Sequence, residues 1–209
     1  VSERAVLTAA VEATLRAVAR FAESPAWSEA FRAWAERSFR KVTLRARGSA
    51  WTKLSAYDAG EGKANGETVV LALPPRRRSE CDSLVRNLQV YNPDRATMAT
   101  DAGEGAPTSS YAMTFVFNAR AVMSVGKSVA QISHAVLLCA WSPFARDAAY
   151  AEGFEAWERE GYPVRIAPSA EWDALRARPD ACVVRDAGLT EVDPGTETVL
   201  AIPPGAASK

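Results

Sequence analysis

Residues 186–204 read DAGLTEVDPGTETVLAIPP, and residues 58–75 read DAGEGKANGETVVLALPP. The two stretches agree at Asp-Ala-Gly, at a turn glycine, at Glu-Thr-Val and at a closing Ala-x-Pro-Pro. In the later copy, Cys182–Arg185 and Thr198–Ile202 are short apolar runs on either side of Pro194-Gly195. That pattern predicts strand, turn, strand.

The rest of the second half follows outward from this closing motif. Tyr111–Asn118 (YAMTFVFN) is rich in aromatic and β-branched residues and reads as a strand. A loop, ARAVMSVG, leads into Lys127–Trp141, where apolar residues recur at helical spacing without Pro or Gly. Asp147–Glu160 is a second amphipathic helix, with Phe154 and Trp157 on one face and Gly161 as its stop. Pro163–Ala167 is a short strand, and Ser169 is the expected N-cap of a small helix through Trp172 and Leu175.

The first half repeats this order with its opening missing. RAVLTAA (Arg4–Ala10) parallels HAVLLCA (His134–Ala140), and EAFRAW (Glu29–Trp34) parallels EGFEAW (Glu152–Trp157). KVTL (Lys41–Leu44) stands where PVRI (Pro163–Ile166) stands, and Trp51 corresponds to Trp172. The preserved order points to a duplication. The alternative is two unrelated segments that share common strand endings. Asp82–Tyr91 is expected to form a short helix. The expectation is an α/β chain of two tandem, similar small domains. Each is a mixed sheet of about four strands flanked by helices in α/β/α layers, and the N-terminal copy is incomplete. The boundaries fall at 1–91 for the first copy, 92–110 for a linker rich in turn residues, and 111–209 for the second copy.

Composition bounds what such a chain does. At 209 residues and 48% hydrophobic content it is able to bury a core. Lys+Arg and Asp+Glu balance at 25 each, so net charge points to neither a nucleic-acid nor an acidic partner. The balance conceals a basic stretch, Arg37, Arg40, Lys41, Arg45, Arg47 and Lys53, followed by Arg76–Arg78. Acids dominate after about residue 147. Cys81, Cys139 and Cys182 are scattered and without CxxC spacing, so reduced thiols in a cytoplasmic protein are expected. With one His, no zinc site of the usual ligand types is expected. No apolar run approaches the ~18 residues of a membrane span, and no signal-peptide pattern opens the sequence. Residue 1 is Val rather than Met, which leaves open a longer natural chain.

Three places offer chemistry. Gly126-Lys127-Ser128 ends a strand-to-helix loop, but Ala121 stands where a phosphate-binding loop needs its first glycine. Lys127 at a helix start opposes the helix dipole, so it is expected to face an anion or a carboxylate. Lys127, Gln131 and His134 fall at i, i+4 and i+7, on one helix face. They line a cleft or form a solvated stripe. Asp186 ends a strand, where α/β folds place function, and Thr190 follows in the same loop. A turn Asp satisfying local N–H groups is the alternative, and Asp58 keeps the same Asp-Ala-Gly. No GxSxG elbow or Cys–His arrangement is present, so an enzyme built on these residues activates water.

Lys127-Ser-Val-Ala-Gln131-Ile-Ser-His134-Ala135 together with Asp186-Ala-Gly-Leu-Thr190-Glu-Val-Asp-Pro194-Gly195-Thr196 and Thr198-Val-Leu resembles the type 2 peptidyl-tRNA hydrolases. That family carries a GKxAAQxxHA helix start and a DAGxTxxxPGT turn before a TVL strand. The resemblance covers about residues 111–204. It implies a small α/β domain, usually dimeric, that hydrolyses the ester joining a peptide to the 3′ ribose of tRNA without metal or cofactor. By position it puts the catalytic Lys on Lys127, the acid on Asp186 and the hydroxyl on Thr190. Gln131, His134, Gly126 and Asn118 are the candidate substrate-binding residues.

The sequence also departs from the family pattern. Where the family has Arg-Thr-Asp-Leu-Lys-Met-Gly-Lys before the motif, this chain has Asn118-Ala-Arg-Ala-Val-Met-Ser124-Val, and Glu191 replaces a neutral Gln. A non-catalytic RNA- or protein-binding module on the same fold is therefore the alternative. The first half keeps Asp58 but has Gly62 in place of Thr190 and no counterpart of Lys127, so it reads as inactive. It is expected to take the partner subunit's place in an intramolecular pseudo-dimer, which leaves room for a further homo-oligomer. Its basic stretch either meets tRNA or is a solvated face.

Overall fold

The computed structural model describes residues 1–37, 40–90 and 109–205. Its contacts divide the chain into two units, Val1–Pro93 and Asp94–Lys209. The linker expected over 92–110 lies, apart from Ser109 and Ser110, outside the described residues. Among the described residues no helix is long and apolar enough to cross a membrane.

In the first unit, helix α1 (Glu3–Phe21) starts on Ser2, whose hydroxyl accepts from the Ala5 N–H. Helix α2 (Ser28–Arg37), strand β1 (Leu44–Arg45), helix α3 (Ser49–Leu54) and the hairpin of β2 (Gly60–Ala64) and β3 (Glu67–Ala72) follow. Asn65 and Gly66 both take positive φ (52° and 82°) in the two-residue hairpin loop, as Asn-Gly favours. The helix expected over 82–91 is shorter, α4 (Ser83–Arg86). Asp82 caps it, and Leu88 leads directly into strand β4 (Gln89–Val90).

Helix α1 lies against β2 with almost no side chain between them. A Cβ on Gly62 would stand 1.7 Å from the Ala9 carbonyl oxygen, and one on Gly60 would stand 2.2 Å from that of Ala13. Small residues on both elements thus set the distance between helix and hairpin.

The second unit runs β5 (Met113–Phe117), α5 (Val125–Ala140), α6 (Ala148–Arg159), β6 (Val164–Ala167), α7 (Trp172–Arg176), β7 (Cys182–Arg185) and β8 (Glu197–Ile202). The four strands form one mixed sheet in the order β6-β5-β8-β7, with β5 parallel to β6 and antiparallel to β8. Phe115 and Val116 point to opposite faces of β5 and neither is exposed, so the sheet is covered on both sides. Helix α5 packs on β7 and β8. A cluster of Trp172, Val116, Ala167, Leu200 and Ile202 fills one face. Ser169 does not cap α7 as expected. It opens a 3-10 turn (Ser169–Glu171) that leads into the helix, and Glu171 stands at the N-cap of α7 without a side-chain cap bond.

Through β3 the first unit runs α-α-β-α-β-β, the order of the second unit without its leading strand; α4 and β4 then follow as additions. The sheets differ. Instead of four paired strands, the first unit has two two-stranded sheets, β1-β4 and β2-β3. The physical reason lies in β5, which joins β6 to β8 in the second unit and has no counterpart between β1 and β3 among the described residues. The apolar residues Val69, Val70 and Leu71 of β3 are only half-buried, whereas Val199, Leu200 and Ala201 of β8 are fully so.

Gly62→Ala is expected to destabilise the protein by about 1–3 kcal/mol or more, because a backbone oxygen cannot yield to the new methyl. Chemical denaturation of the purified variant measures this, and an unchanged midpoint would contradict the close approach.

Candidate active site

Two segments of the second unit build the site: the start of α5 and the loop between β7 and β8. Helix α5 begins at Ser124, whose hydroxyl oxygen accepts the Lys127 N–H at 3.1 Å. The loop leaves β7 at Asp186, whose backbone N–H donates to the Thr196 carbonyl and whose carbonyl accepts from Gly195 at 2.7 Å. Gly188 is required in this loop: its φ is 73°, and a Cβ there would stand 2.4 Å from the Pro194 ring. The loop is therefore closed on itself before it meets the helix.

Where the two segments meet, the Lys127 ammonium donates to Asp186 Oδ2 at 2.5 Å and to Thr190 Oγ1 at 3.1 Å. Gln131 Nε2 donates to the same Asp186 oxygen at 2.7 Å, while Asp186 Oδ1 accepts the Gly188 N–H at 2.8 Å. Gln131 is itself oriented, because its Oε1 accepts the Thr198 hydroxyl at 2.7 Å. Thr198 can do this because β8 carries a bulge: Val184 pairs with Val199 and Arg185 with Glu197, so Thr198 has no partner in β7. A bulge re-aims a side chain next to the interruption.

The Lys127 and Asp186 side chains are only 11% and 8% exposed. Burial resists ionisation of Asp186. The hydrogen bond and charge of Lys127, the Gly188 N–H and the Gln131 amide together outweigh that penalty and hold the carboxyl below the usual Asp range. The site therefore presents an ionised carboxylate, an ammonium and a hydroxyl at one spot, with Asp186 and Gln131 each held by a further partner. Among the described residues no buried side-chain polar atom lacks a hydrogen bond.

Of the residues singled out from sequence, Lys127, Asp186, Thr190 and Gln131 converge. Gly126 is buried in the first turn of α5, and His134 follows Gln131 by three residues, half-buried. Asn118 is spent on the backbone: its Nδ2 donates to the Glu197 carbonyl at 2.8 Å and its Oδ1 accepts the Arg120 N–H at 3.0 Å. Ser128, which a phosphate-binding loop would turn toward a metal, is buried at 1% exposure. Asp58, the first unit's equivalent Asp, pairs instead with Arg20 in an exposed ion pair. The basic stretch of the first unit is partly committed as well. Lys41 Nζ lies 5.2 Å from the Trp34 ring centroid, and burial lowers its pKa to about 7. The Arg76 guanidinium lies 5.0 Å from the ring of Trp27.

Sequence reading missed Thr198, whose role depends on the bulge, and the tie between Ser124 and Glu191. The Ser124 N–H and hydroxyl both donate to the Glu191 carboxylate, at 2.6 and 2.7 Å. A Ser immediately before a helical pattern signals an N-cap, but the identity of its distant partner leaves no local trace.

Residues 111–209 match the family model described as peptidyl-tRNA hydrolase PTH2. A peptidyl-tRNA hydrolase of Thermococcus sibiricus is 30% identical over 103 residues, covering 46% of this chain and 85% of that protein. One of Metallosphaera sedula is 31% identical over 91 residues, covering 40% of this chain and 77% of that protein. A probable peptidyl-tRNA hydrolase 2 of Drosophila melanogaster is 28% identical over 114 residues, covering 52% and 61%. The similarity to the first two is confined to about half of the chain or less.

The Asp186 carboxyl is expected to titrate below the ordinary Asp value of about 3.9, and Gln131→Leu to raise that midpoint, both readable by carboxyl NMR. Because its folded pKa is depressed, Asp186 contributes stability that is full above its unfolded pKa and lost as pH falls through the folded one. The stability difference between the wild type and Asp186→Asn therefore narrows as the solution is acidified through that range. A difference independent of pH would contradict the ion pair.

Proposed function

The chain belongs, through residues 111–209, to the type 2 peptidyl-tRNA hydrolase family, and from that premise we propose that it hydrolyses the ester between a peptide and the 3′ oxygen of tRNA, releasing free tRNA. The observation that carries this reading is the position of the Lys127 ammonium, held between Asp186 Oδ2 and Thr190 Oγ1.

In the proposed reaction a water oxygen attacks the ester carbonyl carbon. The bond from that carbon to the ribose 3′ oxygen breaks, and the proton lost by water ends on the departing 3′ oxygen. Asp186 orients the water and accepts its proton in transit. A carboxyl held below its usual range is a weak base, so positioning and charge matter more here than basicity. An ammonium has three N–H groups. Asp186 and Thr190 account for two of those on Lys127, and the third serves the carbonyl oxygen as negative charge develops there. The Thr190 hydroxyl, accepting from Lys127, keeps its own proton to donate to the ribose or to the water. Gln131 holds Asp186 in place, and Gly126 and His134 line the approach along α5.

The tandem reading fits this scheme. Through β3 the first unit repeats the element order of the second without β5, pairs Asp58 with Arg20 rather than with a lysine, and has Gly62 in place of Thr190. We read it as an inactive copy that takes the role of a second subunit. A substrate made during translation implies a cytoplasmic setting.

A second reading, a binding module without turnover, is favoured by one feature of the rim. Val122 and Leu189 are 50% and 65% exposed beside the site, and the Asn118 side chain is engaged by the backbone. This rim offers few of the cations that nucleic-acid affinity draws on.

Incubation with a peptidyl-tRNA analogue should release the peptide. Lys127→Ala and Asp186→Ala should each lower turnover by roughly 10²–10³-fold while keeping the wild-type circular dichroism spectrum. Wild-type rates in both folded variants would remove the site assignment. Binding of the analogue without turnover by the wild type would establish the second reading.

A further inference from the structure

The residue after Thr190 ties the catalytic loop to the catalytic helix. Glu191 Oε2 accepts the Ser124 backbone N–H at 2.6 Å, and Glu191 Oε1 accepts the Ser124 hydroxyl at 2.7 Å. Ser124 is fully buried, and its hydroxyl oxygen accepts the Lys127 N–H in turn. A chain of three hydrogen bonds thus runs from the backbone of Lys127 through Ser124 to the residue beside Thr190. A carboxylate is well suited to this place, because the start of a helix offers unpaired N–H groups and partial positive charge.

The chemistry of the contact is specific to this pair of side chains. Ser124 presents two donors, its N–H and its O–H, and a carboxylate presents two acceptor oxygens. A carboxamide has one acceptor oxygen, and its NH₂ meets Ser124 only if the hydroxyl turns to accept it, which puts a second donor on the oxygen that already takes the Lys127 N–H and deprives the hydroxyl proton of its acceptor. With Gly at 124 the hydroxyl donor is absent, and a single acceptor suffices. Both positions differ from the residues that the family's pattern carries, Gly and Gln, and they differ in a complementary way.

We propose that Glu191 is a positioning residue, and that its carboxylate and Ser124 form one clamp holding the Asp186–Thr190 loop at the distance where both residues reach Lys127. The clamp itself rests on geometry alone, and the effect on turnover rests on the hydrolase reading. In the absence of the clamp, Thr190 Oγ1 and Asp186 Oδ2 no longer meet the Lys127 ammonium together.

The test is a double-mutant cycle on Glu191→Gln and Ser124→Gly, read in two ways. The first is turnover of a peptidyl-tRNA analogue. Glu191→Gln should lower kcat about tenfold with KM changed less than twofold. The double variant S124G/E191Q should recover part of that loss, because Gln with Gly restores matched donors and acceptors. The second is the NMR midpoint of the Asp186 carboxyl, which needs no turnover. Glu191→Gln should raise it, since Lys127 is then less well held against the carboxylate, and the double variant should bring it back toward the wild-type value. An unchanged Asp186 midpoint in folded Glu191→Gln, or strictly additive effects across the cycle, would overturn the proposal. If the wild type shows no turnover, the hydrolase reading fails by itself, and the carboxyl midpoint still decides the clamp.

Discussion

Strand β5 is the constraint on which the second unit depends. It pairs in parallel with β6 on one edge and antiparallel with β8 on the other, and both of its faces are buried. Because β5 runs directly into the loop before α5, its register fixes where that helix begins. Because it pairs with β8, it also fixes where the loop from β7 returns. The meeting of Lys127 with Asp186 follows from those two placements. The first unit shows the converse: among the described residues no strand lies between β1 and β3, its strands stay in separate pairs, and its Asp58 meets a surface arginine.

The site itself is an example of buried charge made tolerable by completeness. Taking an ammonium and a carboxylate out of water costs several kcal/mol per ion unless each is paired and hydrogen-bonded. Here Asp186 receives Lys127, Gln131 and the Gly188 N–H, and Gln131 is held by Thr198. Lys127 stands in the first turn of α5, where the helix dipole disfavours a cation. Asp186 offsets that cost through its direct contact, and the Glu191 carboxylate at the same helix start adds a second negative charge. These bonds resist rotation of the Asp186 and Gln131 side chains.

Much of this was legible in the residues. Alternation and apolar runs located β5, β7 and β8, and the 3.6-residue period located α5 and put Lys127 and Gln131 on one face. The unfavourable place of Lys127 predicted a carboxylate partner, and Asp186 is that partner. The expectation of a four-stranded sheet in the first half failed, since local patterns mark strands and say nothing about which strand supplies a missing neighbour. Asn118, a candidate substrate-binding residue by sequence, stitches the end of β5 to Glu197, because a strand end leaves backbone groups that a side-chain amide readily satisfies.

The sequence by itself determined most of the elements, the repeated strand–turn–strand ending and the residues that meet at the candidate site. Periodicity, turn chemistry and charge are properties of neighbours along the chain. Only the tertiary structure decided that Asp186 works with Lys127 while Asp58 pairs with Arg20, that a bulge aims Thr198 at Gln131, and that Glu191 closes over Ser124. Those outcomes depend on strand register and on distances between segments far apart in the sequence. Register is set by the packing of the whole sheet, which no local stretch encodes.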